Sequence, residues 1–381
     1  KKVYAPVKLE MEKDLQVFPK EQDLLKKHQH LFLKEQDVLP KGLRVTNRNH
    51  HIGLEGYRCL WTLIENGKKM KQGELALPSV APGETGTMAL PDVKINKQAD
   101  VRLNVSIVLK EDALWAKAGH EILKEQFALN DHLMAVADGV QPGRRKSKFS
   151  VLDLWEDSYF QAFRAPTDND KSNWLAKDWK NQGLDAPQVE VITPETKTQE
   201  TDGTVSKKSV VEYRYAKGSI RVSSHYKIYV DGTVDLEQTY LPQGELPELP
   251  RLGSAFVLGE EYENLSWYGR GPWENYPDRK TSCLIGRWNS KVSEQYTHYP
   301  RPQDSGNHED VTEVILTNKQ GKGVRVTAID RPFSFSALHY TVDDIYKTTH
   351  DCDLKPRKEV ILSLDAAVLG LGNSSCGPGV L

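Results

Sequence analysis

Strict two-residue alternation of polar and apolar side chains constrains this chain more than any other feature. Residues 99–110, ADVRLNVSIVLK, alternate almost without error, and 219–230 (SIRVSSHYKIYV) and 233–240 (TVDLEQTY) repeat the pattern. A period of two sends successive side chains to opposite faces of an extended backbone, so each stretch reads as a half-buried strand. Turn dipeptides stand where the strands must reverse. Asp231-Gly232 separates the last two stretches, and Asn66-Gly67 follows 60–65. Short strands with regular turn signals predict antiparallel sandwiches and not a parallel sheet. The expected fold class is therefore all-β. An immunoglobulin-like β-sandwich over 1–130 precedes a large antiparallel domain over 149–381. The linker is 131–148, where the apolar pattern gives way to Gly, Pro and a basic run at 144–148.

Residues 11–42 interrupt this plan. They are rich in Lys, Gln and Glu and contain a repeat, KEQDLL at 20–25 and KEQDVL at 34–39. Leu24, Leu25, His28, Leu31 and Phe32 lie near a helical stripe, so the composition predicts a helical, solvated insertion or a partner helix. No function follows from it.

Length and charge narrow the function classes. A chain of 381 residues has room for two domains with separate cores. Its 51 basic and 53 acidic residues give a net charge of −2, without the basic excess that draws proteins to nucleic acid. No apolar run reaches membrane-spanning length, and the opening KKVYAPVKLE is not a signal peptide. Cys59, Cys283, Cys352 and Cys376 show no metal-ligand spacing, which suggests a reducing, cytoplasmic setting. The start at Lys1 and the end at Leu381 read as fragment boundaries.

Chemistry concentrates in 267–280, WYGRGPWENYPDRK. Pro272 and Pro277 lack amide donors, while Gly269 and Gly271 admit unusual backbone angles. A strand over 265–268 should therefore break into a rigid loop carrying rings and charges together. Aromatic faces stack on sugar C–H surfaces, and carboxylates and guanidinium bind hydroxyls. Trp273, Glu274, Asn275, Asp278 and Arg279 admit two readings. They form a buried polar network that fixes the loop, or Glu274 and Asp278 act as a glycosidase acid and base. In 163–170, FRAPTDND, Arg164 and Asp170 suit an ion pair with local capping, whereas Asp168, Asn169 and Asp170 could together hold a cation. His339 with Glu309 is the conceivable pair for mutarotase chemistry.

Taken in order, these stretches resemble the C-terminal region of family-2 glycoside hydrolases of the β-galactosidase type. The first domain is similar through LRVTNRNHHIGLEGYRCLWTLIENGK (43–68) and the Trp115–His120 segment. The second is similar through FRAPTDND, WYGRGPWENYPDRK, YTHYPRPQDSGNHEDV (296–311) and GLGNSSCGPGVL (370–381). The resemblance implies a galactose-mutarotase-like supersandwich for the second domain. It places the catalytic carboxylates in an upstream barrel of the same polypeptide, so no catalytic residue is expected here. It implies a β-galactoside substrate near Asn373, Ser374, Ser375 and Cys376, with Arg251 facing them from a mobile loop at 243–256. Cys376 stands where the family pattern often has a stacking aromatic residue. Magnesium and sodium are implied for the parent enzyme only, and a homo-oligomer is possible. A stand-alone carbohydrate-binding module and a mutarotase-like epimerase are the competing functions, since this fold hosts all three.

Overall fold

The computed structural model describes residues 42–130 and 158–372 apart from Asn173, with the backbone of three short strands, Val3–Ala5, Leu31–Phe32 and Val38–Leu39. The chain divides into two compact units, one of Met11–Ala135 and one of Lys1–Glu10 with Val136–Leu381. Both are built from antiparallel sheets joined by turns, and the described helices, all short, belong to the larger unit. Among the described residues no helix is long and apolar enough to cross a membrane.

In the smaller unit, one sheet has the spatial order Lys68–Leu75, Tyr57–Glu65, Val101–Leu109, Glu121–Asn130. The other centres on Gly42–Asn47, which pairs with Thr85–Ala89, Leu31–Phe32 and Val38–Leu39. Alternation in 99–110 turns Leu103, Val105 and Ile107 inward, against Leu43 and Val45 of the opposite sheet. Two facing apolar rows make the immunoglobulin-like sandwich. Asn66 and Gly67 take φ of 47° and 76°, as a tight hairpin with two left-handed positions requires.

The helical reading of 11–42 needs correction at its described positions. Leu31 and Phe32 are extended and pair with Asn47 and Thr46. A short polar helix is marginal alone, whereas an adjacent strand offers ready backbone partners. Leu24, Leu25 and His28 lie outside the described residues, as does the 131–148 linker.

Among the described residues the larger unit has three sheets. One runs Ser158–Gln161, Arg251–Leu258, Val360–Val368, Phe333–Leu338, His308–Val311. A second runs Leu284–Lys291, Asn264–Gly271, Glu313–Thr317, Gly323–Thr327. Phe256, Phe335 and Leu362 of the first interlock with Trp267, Val314 and Leu316 of the second in one core. This is the large antiparallel supersandwich. The third sheet has Val3–Ala5 at its edge, paired with 238–240, so this short strand groups with the larger unit.

Two expectations about the motif region change. The strand at 264 does not break at 268 but continues to Gly271. A Cβ at Gly269 would lie 2.6 Å from Val311 Cγ2, and one at Gly271 2.6 Å from Trp288 Cδ1. These glycines therefore admit neighbours and do not end the strand. The 243–256 stretch is also mostly regular, since strands Val234–Gly244 and Arg251–Leu258 occupy both ends. Trp179 Nε1 donates to Glu248 O at 2.8 Å in the short remaining connection.

Candidate functional site

Two motifs far apart in sequence meet where strand Val360–Val368 ends. Arg164 donates from Nη1 to Leu369 O at 2.6 Å and from Nη2 to Gly370 O at 3.0 Å. Asn169 Nδ2 donates to Leu371 O at 2.7 Å. From the other motif, Asp278 accepts from Leu371 N at 3.1 Å and from Gly372 N at 2.6 Å. A Cβ on Gly370 would come within 2.5 Å of Asp278 Cγ, so any side chain there would displace the Asp278 carboxylate. The result is a clamp on 369–372, directly before Asn373, Ser374, Ser375 and Cys376. Those four lie outside the described residues.

Arg164 is fully buried, and its guanidinium forms a bidentate pair with Asp170 at 2.8 and 3.1 Å. Asp170 Oδ2 also accepts from Thr167 N at 2.8 Å, and Thr167 Oγ1 accepts from Asp170 N at 3.2 Å. Burial disfavours the guanidinium charge, but the Asp170 carboxylate outweighs it and raises the Arg164 pKa. Asp168 instead lies 3.6 Å from Lys171 Nζ, and Asn169 has turned to Leu371. The three side chains diverge and do not fit a cation. Among the described residues no group of three or more His, Cys, Asp or Glu could hold a metal ion.

Arg251 does not face outward. It is 5% exposed and pairs with Asp365 at 2.6 and 3.2 Å. Burial pushes the Asp365 carboxyl up, and Arg251 offsets this only in part. Arg251 Nε and Nη2 both donate to this buried carboxylate, which ties strand Arg251–Leu258 to strand Val360–Val368 beneath the clamp.

In 267–280 the polar groups serve different partners. Glu274 Oε1 accepts from Arg279 Nη2 at 2.6 Å and Tyr299 OH at 2.7 Å, while Oε2 accepts from Gly306 N at 2.8 Å. Burial would raise the Glu274 pKa, but the Gly306 amide, Arg279 and Tyr299 together hold it below the ordinary range. Asp278 does not join this group, since its carboxylate is committed to the Leu371 and Gly372 amides. Asn275 is fully buried, with reciprocal bonds to Asn307 at 2.7 and 2.8 Å. Its Oδ1 accepts from Glu309 N at 2.8 Å. Trp273 is 67% exposed, and the Arg279 side chain 44%.

A general acid needs a raised pKa and a proton to give. Glu274 is shifted the other way, and the two carboxylates serve separate donors, Glu274 those of Arg279, Tyr299 and Gly306, and Asp278 those of Leu371 and Gly372. His339 and Glu309 are not paired either. His339 contacts Glu263 Oε2 at 2.9 Å and Glu359 O at 3.0 Å. Glu309 Oε1 accepts from Asn307 Nδ2 at 2.8 Å and Ser334 Oγ at 2.7 Å.

Sequence reasoning missed Asp365, Asp304 and Tyr276. Tyr276 is fully buried and donates to Asp304 at 2.8 Å. Burial raises the Asp304 pKa against the opposing pull of Arg251 and Arg164. A signal existed for Asp365, which stands alone in the apolar run VILSLDAAV at 360–368. A lone charge in such a strand needs a buried partner.

Comparison with known proteins follows the same division. The family model described as the β-galactosidase small chain matches residues 144–381, and that described as β-galactosidase domain 4 matches 43–130. The β-galactosidase of Priestia megaterium is 28% identical over 365 residues, covering 86% of this chain and 34% of that protein. That of Kluyveromyces lactis is 30% identical over 378 residues, covering 88% and 34%. That of Streptococcus thermophilus is 27% identical over 361 residues, covering 87% and 34%. The chain thus spans about a third of the length of the curated relatives it matches.

Proposed function

Because the chain belongs to the β-galactosidase small-chain family, we propose that it is the C-terminal, non-catalytic part of a family-2 glycoside hydrolase acting on terminal, non-reducing β-D-galactosides. The observation that carries this reading is the clamp. Arg164 and Asn169 from one motif and Asp278 from the other spend their hydrogen bonds on the backbone at 369–372. Such investment in holding one short loop suits a loop whose position matters to something beyond it. Asn373, Ser374, Ser375 and Cys376 then stand at the rim of the substrate pocket, and Arg251 with Asp365 braces the sheet below.

Bond cleavage belongs to two carboxyl groups of an upstream barrel, set about 5 Å apart as retention requires. Magnesium and sodium belong with that barrel, because the acidic run at 168–170 is turned to other partners. Contacts with the barrel and with further copies complete the role.

The test compares this chain with the same chain joined to its upstream barrel, using a chromogenic β-galactoside. The chain alone should not turn over, and the joined protein should. Removing 370–381 from the joined protein should raise KM more than it lowers Tm. Turnover by the chain alone that disappears in Glu274→Gln would overturn the proposal.

A further inference from the structure

The two motifs of the clamp meet a common partner in a third stretch, 296–311. Asp304 N donates to Ala165 O at 3.1 Å, next to Arg164, and Asp304 Oδ2 accepts from the Tyr276 phenol at 2.8 Å, just ahead of Asp278 in the chain. Its neighbour Gln303 accepts from Asp168 N at 3.0 Å. Asp304 is half-buried as a residue, but its carboxyl turns inward. Arg251, Arg164, Tyr276 and Asp170 face that carboxyl, and Asp365 lies within reach of its charge.

Charge sets Asp304 apart from its neighbours. Arg164 is committed to both oxygens of Asp170, and Arg251 to both oxygens of Asp365. Three carboxylates therefore share two guanidinium groups, and among the described residues Asp304 has no ion pair of its own. A buried carboxylate without a cationic partner costs free energy. Burial accordingly pushes the Asp304 carboxyl up, and Arg251 and Arg164 offset this only in part. An uncharged residue of the same size would leave the cluster balanced, so stability alone does not account for an aspartate here.

The position of Asp304 supplies another reason. Arg164 holds Leu369 O and Gly370 O, and Asp278 holds Leu371 N and Gly372 N. Asp304 is bonded beside each of these two side chains and touches neither end of the loop itself. We propose that Asp304 is a positioning residue for the clamped loop, setting the separation of Arg164 and Asp278 through Ala165 and Tyr276. Its consequence for a galactoside rests on the reading above, in which the residues after Gly372 stand at the pocket rim.

The test is amide-exchange protection in the 381-residue chain. Tyr276→Phe removes one phenol oxygen and should lower protection at Leu371 and Gly372 about tenfold, although Tyr276 bonds to neither. Amides of strand Glu313–Thr317, in the core of the same unit, should change by less than about twofold. Asp304→Leu should act as Tyr276→Phe does, and if it fails to fold, Tyr276→Phe still decides. Asp304→Asn keeps an acceptor for the phenol and should hold protection within about twofold of wild type. In the protein joined to its upstream barrel, Tyr276→Phe should raise KM by about threefold or more with little change in kcat. The proposal is overturned by unchanged protection at Leu371 and Gly372 in Tyr276→Phe, by an equal loss along strand Glu313–Thr317, or by Asp304→Asn losing as much as Tyr276→Phe. Exchange is read without any substrate, so a joined protein that does not turn over galactosides would defeat the galactosidase reading and leave the exchange result to decide this one.

Discussion

Replacing Arg164 with Met removes the guanidinium while keeping much of its apolar stem. Asp170 would then remain 1% exposed without a counter-charge. Breaking one side of a buried pair costs about 3–5 kcal/mol. Leu369 O and Gly370 O would also lose donors, but the loop can move toward water, so the total should stay near 4 kcal/mol. The parallel change at Arg279 should behave differently. Its side chain is 44% exposed, and Glu274 keeps Tyr299 and the Gly306 amide, so Arg279→Ala should cost about 1 kcal/mol or less. Urea unfolding measures both, provided the slope m stays constant. Adding Asp170→Asn to Arg164→Met should recover roughly 2 kcal/mol, because the uncompensated charge is gone. A loss under about 1 kcal/mol for Arg164→Met, or equal losses for the two arginines, would refute the reasoning.

Three further outcomes follow from the geometry. His308 lies between Trp267 and Phe335 with Gln295 Oε1 2.7 Å from its Nε2, and burial lowers its pKa from 6.5 to about 4. The unfolded chain therefore takes up the proton first, so stability is complete above pH 6.5 and falls as pH drops toward 4. Relative to His308→Phe, wild type should lose about 2–3 kcal/mol across that window in denaturation measured at stepped pH, and parallel curves would exclude it. Gly370→Ala would push a methyl against Asp278, so Tm should fall by several degrees and, in the joined enzyme, KM should rise with little change in kcat. Asp278→Asn should cost about 1 kcal/mol or less, since the group is exposed, yet amide exchange at Leu371 and Gly372 should accelerate clearly.

Much of the fold was legible because its signals are local. The alternation at 99–110 marks strand Val101–Leu109 and also which side chains turn inward, since a period of two encodes the face directly. Asn66-Gly67 marks a hairpin because the turn itself needs residues that tolerate positive φ. Composition misled at Leu31 and Phe32, where a neighbouring strand overrides helical preference. The glycines of 267–271 misled as well, because close packing against Val311 and Trp288 has no signature along the chain.

By itself, then, the amino-acid order determined the antiparallel sandwiches, the position of the motifs and their family. Only the tertiary structure decided what the motif side chains do. Asp278 could have paired with adjacent Arg279, and it caps Leu371 and Gly372 instead. Arg251 could have pointed at a ligand, and it closes on Asp365, which lies 114 positions away. Strand and turn preferences act between neighbours, so the sequence carries them openly. The partner of a charged side chain is set by which distant groups are buried beside it, and that exists only once the sheets have packed.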